Sequence, residues 1–134
     1  MNKVVGFLKF IFYISVLLLI VITLYPGGLL GLLLYGDPGM QPNLAENPYF
    51  TPMPSHLYTY ASIINHFIAY FYVSMLGLCL HLRSHNFQKI VFGLFFLSIF
   101  FEVLQFIIPR RAFEIYDVSA NFAGVLAAYY LLKI

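Results

Sequence analysis

Four long apolar runs constrain the fold of this chain more than any other feature of its 134 residues. A helix needs about 20 apolar residues to cross the ~30 Å hydrocarbon core of a bilayer, and the runs cover residues 4–25, 58–80, 90–108 and 117–132. Only 9% of the residues are charged, whereas a soluble domain has roughly a quarter. The sequence therefore predicts an all-α membrane protein, a single domain over residues 1–134 with four transmembrane helices.

The distribution of basic residues predicts how the chain is oriented. Residues 36–57 hold five of the seven prolines and no Lys or Arg, which predicts an irregular loop. On the opposite side of the four predicted helices lie Lys3, Lys9, Arg83, Lys89 and Lys133. Because cytoplasmic loops carry an excess of basic residues, we predict cytoplasmic N and C termini and an extracytoplasmic loop. Arg110 and Arg111 fall on the outer side, against this rule. Their position indicates that they make a specific contact there and do not serve to orient the chain.

Polar side chains within three of the predicted helices lie at one depth. At 1.5 Å per residue, His66 lies roughly 12 Å and Glu102 roughly 9 Å from the outer ends of their helices. Asp117 and Asn121 open the fourth helix from the same side. Three segments thus place polar groups in the outer half of the bilayer.

Helical spacing also places these side chains on shared stripes. Ser98, Glu102 and Gln105 share one stripe, His66 and Tyr70 a second, and Asp117, Asn121 and Gly124 a third. Because a charged group facing lipid costs roughly 2.5–3.5 kcal/mol, the three stripes are expected to face one another. Small residues spaced four apart allow a close approach of another helix, and the fourth helix has such a line at Ala120, Gly124 and Ala128.

Each of these polar residues also has a purely structural interpretation. His66 and Asn121 can bond to neighbouring helices, and Asp117 suits the first turn of a helix because of the helix dipole. In an apolar site Glu102 is either protonated or paired with an arginine or with His66. Their combination still indicates a functional site, since ionisable clusters within membranes are commonly functional.

Several function classes find no support in the sequence. A net charge of +2 gives no basic surface for nucleic acid, and the one cysteine, Cys79, excludes an intrachain disulfide. Cys79 lies in an apolar run, where an inert core residue is expected. His66, Glu102 and Asp117 are capable in principle of binding a metal through nitrogen and oxygen, but no metal-binding motif supports this. We therefore predict no metal and no cofactor.

Two stretches resemble the VanZ-like family, namely NHFIAYFYVSMLG (65–77) and EVLQFIIPRRAFEIYDVSANFAG (102–124). The first matches through His66 and Tyr70. The second matches through a spaced series, Glu102, Gln105, Pro109, Arg111, Asp117, Asn121 and Gly124. The family often has an Asp-Lys pair shortly before the histidine, where this chain has Ser62 and Ile63. Arg110 replaces a common glycine and is a candidate substitute for the missing basic group.

The resemblance implies a small multi-pass protein of the bacterial inner membrane. The family takes its name from a member linked to resistance to glycopeptide antibiotics of the teicoplanin type, and it implies no settled biochemical activity. The predicted functional cluster comprises His66, Tyr70, Glu102, Gln105, Arg110, Arg111, Asp117 and Asn121.

The sequence leaves three functions open for this cluster, beside a purely structural one. In the first, the two arginines bind an anionic headgroup of a membrane lipid or a lipid-linked cell-wall precursor, Asp117 and Asn121 orient them, and His66 and Glu102 line the pocket beneath. In the second, a membrane-surface enzyme uses His66 and Glu102 as acid and base. In the third, a small transporter couples to protons through Glu102 or Asp117.

Overall fold

The chain folds into four helices, each long and apolar enough to cross a membrane. The computed structural model describes residues 2–25, 55–82, 84, 86–105, 107–108 and 114–133. The helices are α1 (Asn2–Leu24), α2 (Ser55–His81), α3 (Phe87–Gln105) and α4 (Ile115–Lys133). Within these ranges no strand occurs. The prediction of an all-α protein with four membrane-spanning helices is confirmed.

Helices α2 and α3 each begin three residues before their predicted starts. Helix α2 begins at Ser55, so the last residues of the predicted loop 36–57 are helical, while residues 36–54 lie outside the described part of the chain. Helix α3 begins three residues before the predicted start. There Ser84 accepts the amide N–H of Asn86 on its side-chain Oγ at 3.1 Å and that of Phe87 on its carbonyl oxygen at 3.1 Å, which supports an earlier first turn.

The end of α3 falls at Gln105, three residues before the predicted end at residue 108. The amide N–H of Ile108 donates to the carbonyl of Gln105 at 3.2 Å, and that of Ile107 to Leu104 at 3.0 Å. These bonds span three residues rather than four, as in the tightened last turn common at helix ends. A proline disfavours helical geometry at the residue before it, and Pro109 directly follows Ile108 in the sequence. The helix therefore ends before residue 108, where the sequence predicted its end.

Helix α2 lies at the centre of the bundle and contacts each of the other three helices. Its most extensive contact is with α4. The apolar core combines side chains from all four helices: Leu19, Tyr70, Val73, Leu78, Val91, Leu94, Val125 and Ala128. Helix α3 joins α4 through two aromatic pairs, Phe95 with Phe122 at 4.7 Å between ring centroids and Phe87 with Tyr129 at 5.8 Å.

The contact between α2 and α4 depends on Gly124. A β-carbon placed there would lie 2.6 Å from the carbonyl oxygen of Phe67 and 2.8 Å from the amide nitrogen of Phe71. Both are backbone atoms of α2, so only glycine allows the two helices this separation. The neighbouring Ala120 and Ala128 are also buried. The predicted line of small residues on the fourth helix is confirmed as a close-packing face.

Helix α1 packs at the edge of the bundle. Its buried residues, Ser15, Leu19 and Thr23, are spaced four apart and form one narrow stripe. Most of its large apolar side chains are exposed, as expected for a helix that faces lipid. The expectation of a core position for Cys79 is wrong, because this residue is exposed on α2. In an apolar helix, composition alone does not separate a lipid-facing position from an interior one.

Candidate functional site

Three helices bring ionisable side chains together near the end of the bundle where α3 ends and α4 begins. His66 comes from α2, Glu102 from the last turn of α3 and Asp117 from the first turn of α4. The Glu102 side chain is fully buried, Asp117 is 9% exposed and His66 is 19% exposed. We refer to these three residues, together with Ser62 and Asn121, as the histidine cluster.

His66 occupies the middle of the histidine cluster, with oxygen atoms on both sides of its ring. Nδ1 lies 3.0 Å from Oδ1 of Asn121 and 3.8 Å from Oε1 of Glu102. Nε2 lies 3.3 Å from Oδ2 of Asp117. The imidazole therefore links α2 to both α3 and α4, and its two nitrogens face different carboxylates.

Ser62 holds the other side of the Asp117 carboxylate. Its hydroxyl lies 3.1 Å from Oδ1 and 3.2 Å from Oδ2 of Asp117, so it donates to either oxygen. Ser62 stands one helical turn before His66 on α2. Two successive turns of α2 thus approach the first turn of α4, and the close contact at Gly124, two turns further along α4, holds the backbones together.

A row of polar side chains continues along α2 away from the histidine cluster. Ser62, His66, Tyr70 and Ser74 are spaced four apart and so lie on one face. Tyr70 and Ser74 are buried, as is Ser98 on α3. The hydroxyls of Tyr70 and Ser98 lie near each other but outside hydrogen-bond geometry, and in the described part of the chain neither they nor the Ser74 hydroxyl have a hydrogen-bond partner. Buried polar atoms are normally satisfied, so this row points toward a ligand, an ion or water.

The order of contacts in the histidine cluster differs from that of a serine hydrolase. In a nucleophilic triad the serine hydroxyl bonds to the histidine, which then takes its proton. Here the Ser62 hydroxyl bonds to the aspartate, and the aspartate separates it from His66. Ser62 is therefore placed to orient Asp117, not to act as a nucleophile activated by histidine.

The structure brings together five of the eight residues of the predicted functional cluster. Four of them, His66, Glu102, Asp117 and Asn121, belong to the histidine cluster, and Tyr70 lies one turn along α2. The stripes predicted on α3 and α4 do face the interior. Arg110 and Arg111 lie outside the described residues, so their predicted role in binding stays a prediction.

Gln105 points away from the histidine cluster, toward α1. Its amide nitrogen Nε2 donates to the backbone carbonyl of Thr23 at 3.3 Å, and Gln105 is buried. The Thr23 hydroxyl donates within its own helix, to Leu19 at 2.6 Å. Gln105 thus fastens the edge helix to the end of α3, which the sequence stripe alone did not indicate.

Ser62 is the member of the histidine cluster that sequence reasoning missed. It was noted only as the residue that stands where the VanZ-like pattern often has an acidic one. The signal that identifies it is the spacing of four along α2, shared with His66 and Tyr70. Thr23 gave no such signal, since its contribution is a backbone carbonyl.

Three side chains of the histidine cluster carry atoms that commonly bind metals. One donor atom from each of His66, Glu102 and Asp117 lies within 4.8 Å of the others. The sequence supplied no motif for a metal, because the three donors come from three helices separated by 36 and 15 positions. The convergence becomes visible only in the folded bundle.

The fold and this buried cluster define a class of protein, a multi-pass membrane protein with ionisable groups inside its helical bundle. The family model described as VanZ/LLP1 matches residues 10–134. The chain belongs to the VanZ family, and the suspected resemblance is confirmed over nearly its whole length. No curated protein and no solved structure matches the chain significantly.

Proposed function

We propose that this chain is a bacterial inner-membrane protein which binds the anionic headgroup of a cell-envelope lipid or lipid-linked cell-wall precursor. The observation that carries the proposal is the convergence of α2, α3 and α4 on His66. Polar groups inside a lipid-facing bundle cost free energy, so they are retained where they act on a ligand or on one another. A membrane lipid reaches such a site from within the bilayer.

The headgroup contacts in this proposal come from Arg110 and Arg111. They stand five and four residues before the start of α4 at Ile115, and Asp117 lies in the first turn of α4. Arginine binds phosphate through two parallel hydrogen bonds, which gives both affinity and orientation. The histidine cluster then forms the polar floor beneath the headgroup, while the polyprenyl or acyl chain stays in the surrounding lipid.

A lipid-binding experiment on the purified full-length chain tests this proposal. The chain is reconstituted in nanodiscs of neutral lipid, and binding of a polyprenyl phosphate, an uncharged polyprenol and phosphatidylglycerol is compared. We expect the polyprenyl phosphate to bind at least about ten times more tightly than the polyprenol, because the phosphate supplies charge-assisted hydrogen bonds. Preference for phosphatidylglycerol instead identifies an ordinary envelope lipid as the ligand.

Matched arginine and lysine variants separate a specific site from general attraction. Arg111→Ala is expected to lower phosphate binding at least about tenfold, whereas Lys133→Ala, which removes a basic residue at the end of α4, leaves it unchanged. If Arg111→Ala and Arg110→Ala together left binding unchanged, the proposal would be wrong. Equal losses in Arg111→Ala and Lys133→Ala would indicate only nonspecific attraction between charges.

The proposal extends to drug susceptibility because of the family's link to glycopeptide resistance. A bacterium that expresses the chain is expected to tolerate more of a teicoplanin-type antibiotic than the same strain expressing Arg111→Ala. The measurement is the lowest drug concentration that stops growth, at matched protein levels in the membrane. Equal susceptibility of both strains would contradict this extension while leaving lipid binding to be judged by its own assay.

A second candidate function, an enzyme acting on a lipid-linked substrate, is favoured by one contact. His66 Nε2 lies 3.3 Å from the Asp117 carboxylate. In this function His66 is the general base, and the carboxylate orients its ring. The test is turnover of polyprenyl-linked phosphates by the wild-type chain and by His66→Gln. Turnover lost in His66→Gln and kept in His81→Gln would support catalysis. Without turnover of any substrate in the panel, the enzyme interpretation is contradicted.

A further inference from the structure

The geometry points to a binding site for one divalent transition-metal ion in the histidine cluster, with His66, Asp117 and Glu102 as ligands. This site goes beyond the proposed lipid binding and does not depend on it. The donor set, one imidazole and two carboxylates, is the mixture of nitrogen and oxygen that suits Zn²⁺, Mn²⁺ or Fe²⁺. All three side chains come from different helices, so the fold has to be complete before the site exists.

The distance between His66 and Asp117 already fits two ligands of one metal ion. Zn²⁺ holds nitrogen and oxygen ligands at about 2.0–2.1 Å, which puts two neighbouring donors of a tetrahedron about 3.3 Å apart. Nε2 of His66 and Oδ2 of Asp117 are 3.3 Å apart. A donor atom of Glu102 lies within 4.8 Å of one donor atom from each of the other two residues.

The contacts of His66 suit a ring nitrogen that binds a metal. Oxygen atoms of Asn121 and Glu102 face Nδ1, and an oxygen of Asp117 faces Nε2. In the tautomer with its proton on Nδ1, Nε2 directs a lone pair at an oxygen that has lone pairs of its own. A cation between these two atoms turns that repulsive contact into a pair of metal bonds.

The groups around the three ligands match the outer contacts of known metal sites. Metal-binding histidines almost always donate their second N–H to an oxygen, and metal-binding carboxylates accept further hydrogen bonds. Here Asn121 Oδ1 lies 3.0 Å from Nδ1 of His66, and the Ser62 hydroxyl donates to Asp117. Both kinds of outer contact are therefore present together around the three ligands.

Tyr70 gives a separate indication of a ligand. Its side chain is 1% exposed, it stands one turn from His66, and it lies within electrostatic reach of Glu102. Its hydroxyl has no hydrogen-bond partner within the described parts of the chain. A metal-bound water or a metal-bound carboxylate of Glu102 supplies an acceptor for this hydroxyl, beside the nearby hydroxyl of Ser98.

Metal titration of the purified full-length chain tests the site. The chain is prepared in detergent with its purification tag removed, treated with a chelator and titrated with Zn²⁺, Mn²⁺ or Mg²⁺ without added lipid. We expect one Zn²⁺ per chain and much weaker binding of Mg²⁺, which prefers oxygen ligands alone. If the wild-type chain binds no Zn²⁺, the inference is wrong whatever the lipid assay shows.

Paired variants assign the binding to the histidine cluster. His66→Gln and Asp117→Asn are expected to lower Zn²⁺ affinity by at least about 100-fold, and Asn121→Ala, which removes an outer contact, by about 10-fold. The controls are His81→Gln, roughly 22 Å along the same helix, and Glu114→Gln, which removes a carboxylate that is not a proposed ligand. Equal losses in the controls would overturn the assignment.

A stability measurement on the unmodified chain decides the question if a variant fails to fold. A metal that binds the folded state raises the midpoint of thermal unfolding, so Zn²⁺ is expected to raise it in wild type and in His81→Gln, and a chelator to remove the rise. Helical circular dichroism follows the transition. If Zn²⁺ leaves the wild-type midpoint unchanged at saturating concentration, no such site exists.

Discussion

Helices α4 and α1 are held to the bundle in different ways. In the apolar membrane span of each helix, 39% of the α4 segment is buried inside the bundle and only 11% of the α1 segment. Helix α4 contacts α2 backbone against backbone at Gly124 and carries two residues of the histidine cluster. The contacts of α1 in the described part of the chain include a narrow buried stripe, a hydrogen bond from Gln105 and the ring of Phe12 against Gly77.

The difference shows what specifies helix packing in this chain. Lipid is as apolar as leucine, so burial of apolar side chains does little to bring helices together within the bilayer. Close packing and polar contacts remain, and α4 has both. We therefore expect substitutions at the contact of α4 with α2 to affect stability more than equivalent ones at α1.

The largest effect is expected for Gly124→Ala. The added methyl group meets the backbone of Phe67 and Phe71 at less than 3 Å, and backbone atoms cannot turn away. Because these atoms cannot move, we expect a cost of about 3 kcal/mol, the upper end of the usual range for overpacking, against a gain of about 1 kcal/mol in helix propensity. The free energy of unfolding in detergent, followed by helical circular dichroism against denaturant, should fall by about 2 kcal/mol.

Gly93→Ala is the matched control for that substitution. Gly93 also lies inside a helix, but a β-carbon there meets nothing within 4 Å. Its replacement should leave stability unchanged or raise it by up to about 1 kcal/mol. If both variants were equally stable, α4 would not depend on a close backbone contact, and the contrast with α1 would lose its basis.

A smaller loss is expected for Asn121→Ala, which removes the oxygen 3.0 Å from Nδ1 of His66. Hydrogen bonds between membrane helices contribute about 0.6 kcal/mol on average and up to about 1.7 kcal/mol. We expect about 1 kcal/mol, because the partner is left in a buried site. The same unfolding assay on Ser119→Ala provides the comparison, since Ser119 bonds only to Ile115 of its own helix and its loss should change little.

The hydrogen bond from Gln105 to α1 should contribute less again. Gln105→Met keeps the volume of the side chain and removes its hydrogen bond to the Thr23 carbonyl, for a loss of about 0.6 kcal/mol. Thr23→Val is the control, because the acceptor in this contact is a backbone atom that the substitution leaves in place. A loss in Thr23→Val as large as in Gln105→Met would contradict the assignment of this contact.

Much of the bundle was predictable from the sequence, because each stripe is a property of one helix. The spacing of Glu102 and Gln105, or of Asp117 and Asn121, gives the buried face directly, and charge in lipid requires such faces to meet. The small residues around Gly124 likewise predicted a close contact. Local periodicity and the cost of exposed charge were sufficient for these features.

The remaining features depend on contacts between distant positions or on single bonds. Cys79 was placed inside because lipid-facing and interior positions have similar composition in an apolar helix. Gln105 shares the stripe of Glu102 but turns to a carbonyl of α1, and no side chain marks that carbonyl in the sequence. The early end of α3 reflects the backbone restriction before Pro109, which hydropathy does not register.

Gly77→Ala makes the same change as Gly124→Ala, at the contact with α1, and is expected to have the smallest effect. A β-carbon there would lie 2.8 Å from Cε2 of Phe12, as close as the contact of Gly124 with the Phe71 nitrogen. The obstacle is the far end of a side chain that can rotate, on a helix held by few contacts. The clash and the gain in helix propensity should then nearly cancel, with stability within about 0.5 kcal/mol of wild type.

The double variant Gly77→Ala with Phe12→Leu shows whether that cancellation is real. Removing the ring removes the clash, so Gly77→Ala made in the Phe12→Leu background should raise stability by up to about 1 kcal/mol. The unfolding free energies of the two single variants and the double variant give the coupling between the residues. A loss from Gly77→Ala as large as that from Gly124→Ala would mean that α1 is packed as rigidly as α4, and that its exposed surface conceals an equally specific contact.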